Sequence, residues 1–310
     1  MKVPVSILIP IRNEAGNLPR SLASVTWADE VIVVDSESTD GSQEIAWKAG
    51  AQVVQFRFNG VWPKKKNWAL ENIPFRNDWV FILDADEVLL PGTAEEIQGI
   101  ISNEGGGCAG YWINRRFMFM NQWLKHAYYP NWNLRLFRHR LGRYEQIVQG
   151  ATDSGDNEVH EHIIVQGATG RMRSEMDHYA FPSISVFIEK HNRYSNWEAR
   201  LQVEEESRGS HESTQPQAWR IRLARRIKRL SRHLPFRPTL RFLYVYLWQG
   251  GIWDGRAGYN FARLHGIYEF MSVAKAEEMR LQLKAAESPA QGAAAQVPVG
   301  SKSAVSVGGR

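Results

Sequence analysis

Three short stretches carry the side chains best suited to chemistry: Pro10 to Glu14, Asp35 to Asp40, and Asp84-Ala85-Asp86-Glu87. Taken singly, such acids are unremarkable, since carboxylates cap helices and solvate turns. Each stretch, however, ends or follows an apolar run of strand length: VSILIPI (5–11), EVIVVD (30–35) and WVFILD (79–84). Strands buried on both faces and separated by helices imply a mostly parallel sheet, and such sheets bind ligands at the carboxyl ends of their strands. The acids therefore converge on one rim. Two aspartates one residue apart can there grip a hard divalent cation, Mg2+ or Mn2+, which takes oxygen ligands and bridges carboxylates to substrate phosphates.

The elements that position these residues follow from periodicity. Leu18, Leu22 and Val25 lie at helical spacing in 13–25. Residues 39–50 form a helix opened by Ser38 or Asp40 and closed by Gly50. AQVVQF (51–56) is a third strand, and 63–72 a helix with Pro63 near its first turn. The order is βαβαβαβ, an α/β fold. Beyond it the alternation weakens: a helix over 91–103, a long strand over 109–120, an aromatic loop with Trp123, Tyr128, Tyr129 and Trp132, short strands over 133–138 and 159–165 that extend the sheet in a mixed or antiparallel sense, and a helix over 182–206.

The stretches PIRNEAGNLPRSLASV, VVDSESTDGS and FILDADE, in this order and spacing, resemble the family 2 glycosyltransferases. The resemblance implies a GT-A fold, Rossmann-like, with a mostly parallel central sheet flanked by helices and a helical C-terminal extension. It places Pro10, Arg12, Glu14, Asp35, Lys66, Asn67 and Asp84 on the nucleotide of a nucleotide-sugar, read as UDP-linked through Glu14 and Asp35, and puts Asp86 on a divalent metal. NLRLFR, EVHEHI, DHYAF, EKHNRYS and GGIWDGRAGY resemble, more loosely, the bacterial lipopolysaccharide-core β-1,4-glucosyltransferases. That group implies an acceptor hydroxyl on a lipopolysaccharide core or another lipid-linked glycan. Inverting transfer needs a base across from the diphosphate, and the family's downstream carboxylate falls on Glu161, while His178 matches a late histidine metal ligand. Arg135 and Arg138 are read as sharing one strand face, from which guanidinium groups can bind phosphate or acceptor.

Organisation along the chain follows: a catalytic domain over 1–206, with a nucleotide-sugar half (1–105) and an acceptor half (106–206), a polar linker over 207–217, a basic and aromatic helical extension over 218–287, and a disordered tail over 288–310 rich in Ala, Gly, Ser and Val. The single cysteine, Cys108, forms no internal disulfide and reads as a small thiol. A formal net charge of +5 is modest but unevenly placed: nine Lys and Arg and no acid lie between Gln217 and Arg241. Trp219, Leu223, Ile227 and Leu230 lie among them at helical spacing, the pattern of a surface-lying amphipathic helix. Near an anionic bilayer each basic residue contributes about 1 kcal/mol. This predicts a cytoplasmic enzyme, peripheral on the inner face of the cytoplasmic membrane. No nucleic-acid recognition fold surrounds the charge. The alternatives left open are a polyprenyl-phosphate sugar synthase and a catalytically inactive sugar-nucleotide or polyanion binding protein. A nicotinamide-dependent dehydrogenase falls, because PIRNEAGN supplies no G-x-G-x-x-G.

Overall fold

The computed structural model describes residues 2–146, 162–208 and 236–287. The strand-length apolar runs fold as expected: β1 (Val3–Ile11), β2 (Ala28–Asp35), β3 (Gln52–Gln55) and β4 (Trp79–Ile82), with α1 (Leu18–Ala23), α2 (Ser42–Lys48) and α3 (Lys65–Asn72) between them. Further on come β5 (Glu87–Leu89), α4 (Thr93–Ser102), β6 (Gly110–Phe119), β7 (Gln122–Trp123), β8 (Trp132–Arg138), β9 (Gly142–Tyr144), β10 (Ile163–Val165) and β11 (Thr169–His178). Three helices complete the described chain: α5 (Ile184–Arg208), α6 (Arg237–Leu243) and α7 (Gly255–Glu287).

The main sheet runs β3-β2-β1-β4-β8-β6-β11-β5, with β7 paired to β6. Parallel pairing joins β1 to β2, β2 to β3 and β1 to β4, so these strands deliver their carboxyl ends to one rim. Strand β8 then runs antiparallel to both β4 and β6. This bears out the mixed extension expected for 133–138. The segment 163–165 departs from it, pairing with β9 in a separate two-stranded sheet. Apolar side chains pack on both faces of β1 and β4: Ile7, Ile9 and Phe81 belong to one cluster, Leu8, Val80 and Ile82 to the other. Burial on both faces is why their sequences are apolar without alternation.

Strand β11 escapes a sequence reading. Its only deeply buried apolar residues are Met172 and Met176. Four apart, they fit one face of a strand and one face of a helix equally, so the pattern does not single out a strand. Its pairing with β6 shifts register between Arg171 and Glu175.

Contact density divides the chain into two compact units, residues 1–184 with 244–262, and residues 185–243 with 263–310. This division differs from a boundary at 206: most of α5 joins the second unit, and the GGIWDGRAGY segment joins the first. Within the second unit, Lys275 Nζ donates to Asn192 Oδ1 at 2.6 Å and Ser195 Oγ at 2.8 Å, while Tyr268 donates to Glu198 at 2.6 Å. His191 stacks on Phe187 with ring centroids 3.7 Å apart. Among the described residues, no helix is long and apolar enough to cross a membrane.

Candidate active site

The loops after β1 and β2 are sewn together at the rim. Asn13 adopts a left-handed backbone (φ 57°), a conformation asparagine tolerates better than most residues. Its side-chain carbonyl accepts from the Thr39 N–H at 2.8 Å, and its own N–H donates to Ser38 Oγ at 2.8 Å. The N–H of Glu14 donates to Ser42 Oγ at 2.9 Å and that of Ala15 to Asp40 Oδ2 at 2.9 Å. Arg12 is exposed, and Pro10 and Glu14 are half-buried on the same edge. Asp35 is wholly buried. Its carboxylate accepts from the Ser38 hydroxyl, Gln43 Nε2 at 2.8 Å and Gln55 Nε2 at 3.1 Å, so it organises its own loop.

At the end of β4 lies the densest charge cluster. Asp84 receives Lys66 Nζ on one oxygen at 2.8 Å and the Arg135 guanidinium on the other at 2.7 Å. Glu87, fully buried, accepts from Arg135 at 2.6 Å and from Arg115 at 3.2 Å. Its second oxygen takes the Asp84 N–H at 3.0 Å, which fixes the turn between the two acids. Burial alone would raise the Asp84 carboxyl, but Arg135 and Lys66 outweigh it and hold it well below the usual carboxylate range. Burial opposes the charge on Lys66 as well, yet Asp84 and the neighbouring Tyr144 raise its amine above the ordinary lysine value. Three cations (Lys66, Arg115, Arg135) thus face two carboxylates (Asp84, Glu87), and Asp86 next to them supplies the third negative charge of the region.

Asp86 sits beside this cluster. Its Oδ2 lies 3.5 Å from His178 Nε2, both side chains largely buried, and its carbonyl accepts the Tyr179 N–H at 2.8 Å. The pairing of β5 with β11, which sets His178 opposite Glu87, brings the two together. His178 Nδ1 is buried without a hydrogen-bond partner among the described residues. Sequence motifs placed Asp84, Asp86, Lys66, Arg135 and His178 in the site, and the fold brings these five to one region. No three His, Cys, Asp or Glu side chains converge into a ready metal cluster among the described residues.

Other expectations fare differently. Arg138 does not join Arg135 at the rim: it lies at the opposite end of the pairing with β4. It pairs with the first residue of β4, stacks 5.0 Å from the Trp79 ring and donates to the Glu104 carbonyl at 3.1 Å. Asn67 uses its amide on the backbone of Tyr144, donating to the carbonyl and accepting from the N–H, each at 2.9 Å. Glu161 lies outside the described residues, as does most of the basic segment. Glu87 and Arg115 complete the cluster without a role assigned from the sequence. Glu87 was present in the DADE run, and Arg115 carried no signal because its partner is brought in only by sheet pairing.

Residues 6–163 match the family described as Glycosyl transferase family 2. The chain belongs to that family. It is a glycosyltransferase, and its mixed sheet with a parallel half leading to an acidic rim is the expected GT-A fold. It is 27% identical over 293 residues to the lipopolysaccharide core biosynthesis glycosyltransferase LpsC of Rhizobium meliloti (strain 1021), covering 88% of this chain and 92% of that one. An uncharacterized glycosyltransferase, RC0292, of Rickettsia conorii is 32% identical over 200 residues, 63% of this chain and 69% of the relative. Among solved structures, S. aureus TarS aligns with a TM-score of 0.34 at 22% identity, over 45% of this chain and 28% of that chain. Glucosyl-3-phosphoglycerate synthase from Mycobacterium tuberculosis, in complex with Mn2+, UDP-glucose and phosphoglyceric acid, aligns with a TM-score of 0.28 at 23% identity, over 36% of this chain and 43% of that one. The alignments thus span less than half of either solved chain.

Proposed function

We propose that this glycosyltransferase is an inverting enzyme that moves a sugar from a nucleotide-sugar, UDP-linked, to a hydroxyl of a lipopolysaccharide-core or other lipid-linked glycan, with help from a divalent metal. The observation that carries the reading is the rim at the end of β4, where Lys66 and Arg135 surround Asp84 beside the Asp86–His178 pair. Its cations, Lys66 and Arg135, suit a diphosphate leaving group, which departs with one added negative charge to be stabilised. The lipopolysaccharide-core name of a relative aligned over most of this chain supports the acceptor class.

The donor set fits Mg2+ or Mn2+: one carboxylate and one imidazole, with phosphate and water to supply the remaining ligands. Asp86 Oδ2 and His178 Nε2 would hold the ion, which when bound neutralises charge on the diphosphate. The chain's own residues do the rest. Lys66 and Arg135 orient the phosphates, and Arg12, Glu14 and the loop held by Asp35 shape the nucleoside side of the rim. A base removes the acceptor hydroxyl's proton as its oxygen attacks the anomeric carbon and the bond to the diphosphate oxygen breaks. We assign that base to Glu161, following the family's downstream carboxylate. The basic segment 217–241 holds the enzyme at the anionic inner surface of the cytoplasmic membrane, where lipid-linked acceptors reside.

The test is a panel of nucleotide-sugars assayed for hydrolysis with Mn2+ and with a chelator, which requires no acceptor. Release of nucleoside diphosphate from a UDP-sugar, dependent on metal, is the expected result. Hydrolysis of none of them, with no thermal stabilisation by any nucleotide, contradicts the assignment.

A further inference from the structure

The segment between α6 and α7 has no part in the proposed transfer, yet it is the most conspicuous apolar feature of the first unit's surface. Within ten residues, five large apolar side chains face solvent: Tyr244 is 45% exposed, Leu247 55%, Trp248 83%, Ile252 44% and Trp253 77%. Single exposed apolar residues need no explanation, but a contiguous run of this size marks an interaction site.

The run is rigidly supported. Residues 244–248 form a π-helical turn and 251–254 a 3-10 turn. Gly250 (φ 74°) joins the two, and Gly255 (φ 61°) follows them. Gly258 on α7 comes so near the carbonyl of Gly251 that a Cβ there would lie 1.9 Å from its oxygen. Beneath, the buried carboxylate of Asp254 accepts the N–H groups of Lys125 at 2.9 Å, His126 at 3.1 Å and Ala127 at 2.8 Å. The tryptophans are therefore presented on a pinned turn and not on a loose loop.

Charge decides what covers them. From Ser213 to Trp253 the sequence contains nine Lys and Arg and no Asp or Glu, and the next acid, Asp254, is buried and fully engaged. Lys125, His126 and Arg256, which flank the turn, are exposed. Tryptophan with aliphatic neighbours and a cationic rim matches the bilayer interface, where amphipathic rings sit at headgroup depth and anionic lipids attract basic groups. We infer that the Trp248–Trp253 turn is a membrane wedge that inserts shallowly into an anionic bilayer. The inference rests on the membrane reading given above, and adds to its electrostatic attraction an apolar contact made by a different part of the chain.

Flotation of the full chain with vesicles of equal parts phosphatidylglycerol and phosphatidylcholine, at physiological and at 1 M salt, tests it. At 1 M the Debye length falls to about 3 Å, so exposed charges are screened while apolar insertion survives. The wild type is expected to retain binding at 1 M, and the double variant Trp248→Ser, Trp253→Ser to lose about tenfold or more of that salt-resistant partition. An unchanged melting temperature shows that the variant is folded. Equal salt-resistant binding by variant and wild type overturns the wedge while leaving the membrane reading intact, and no binding by the wild type at either salt overturns both. Concentration-dependent self-association of the wild type that the double variant abolishes, seen by sedimentation velocity without vesicle binding, assigns the patch to a second copy of the chain and also overturns the wedge.

Discussion

Asp84 illustrates why identity alone does not define a residue's role. In D-x-D, both aspartates present carboxylates at the end of a strand, but their surroundings differ. Asp84 is already held between two cations, whereas Asp86 faces an imidazole. We therefore place the metal on Asp86 and regard Asp84 as the element that keeps Lys66 and Arg135 aimed at the phosphates. The base is a separate question of proton transfer. Glu161→Gln is expected to lower turnover by the roughly 10²- to 10⁴-fold typical of a positioned base, with donor affinity nearly unchanged. Steady-state transfer rates beside calorimetric donor affinities check this, and wild-type turnover in the variant would move the role to another carboxylate.

At the scale of elements, the sequence made the first half readable because buried parallel strands are apolar throughout and their helices alternate with them. The acids of the rim were legible for the same reason, since each directly follows such a run. What could not be read came from pairing. Glu87 becomes the partner of Arg115 and Arg135 only when β5, β6 and β8 assemble. Strand β11 hides its strand character because its two buried apolar residues, Met172 and Met176, are four apart, a spacing common to strand and helix, although it delivers His178 to Asp86. The motif reading put Asn67 on the nucleotide, whereas the fold uses it as a surrogate strand partner joining α3 to β9. Asn67→Ala leaves the N–H and carbonyl of Tyr144 without that partner and is expected to cost about 2 kcal/mol, a fall of roughly 4–8 °C in melting temperature for a unit of this size. Calorimetric melting checks this; an unchanged midpoint would mean that water replaces the amide without loss.

At the scale of the whole molecule, the two compact units respond differently to pH. The charged cluster at the rim holds Asp84 ionised down to strongly acidic pH, so its contribution to stability persists across the neutral range. In the helical unit, burial together with Arg241 and His191 pushes His265 down to about 3. Below the ordinary histidine value, near 6.5, the unfolded chain takes up a proton that the folded chain refuses. Stability therefore falls as pH drops from about 6.5 towards 3, by up to about 1.4 kcal/mol per pH unit. His265→Leu is expected to flatten this dependence in the loss of helical circular dichroism between pH 7 and 5. Equal slopes for variant and wild type would show that His265 takes up its proton as readily in the folded chain as in the unfolded one.

The central claim is that the end of β4 binds a nucleotide diphosphate through a metal held by Asp86 and His178. The direct measurement is calorimetric titration of UDP into the wild type and into Asp86→Ala, each with Mn2+ and with a chelator. The account predicts tight binding by the wild type only with Mn2+, and weak, metal-independent binding by Asp86→Ala. Equal UDP affinity in all four titrations would contradict it.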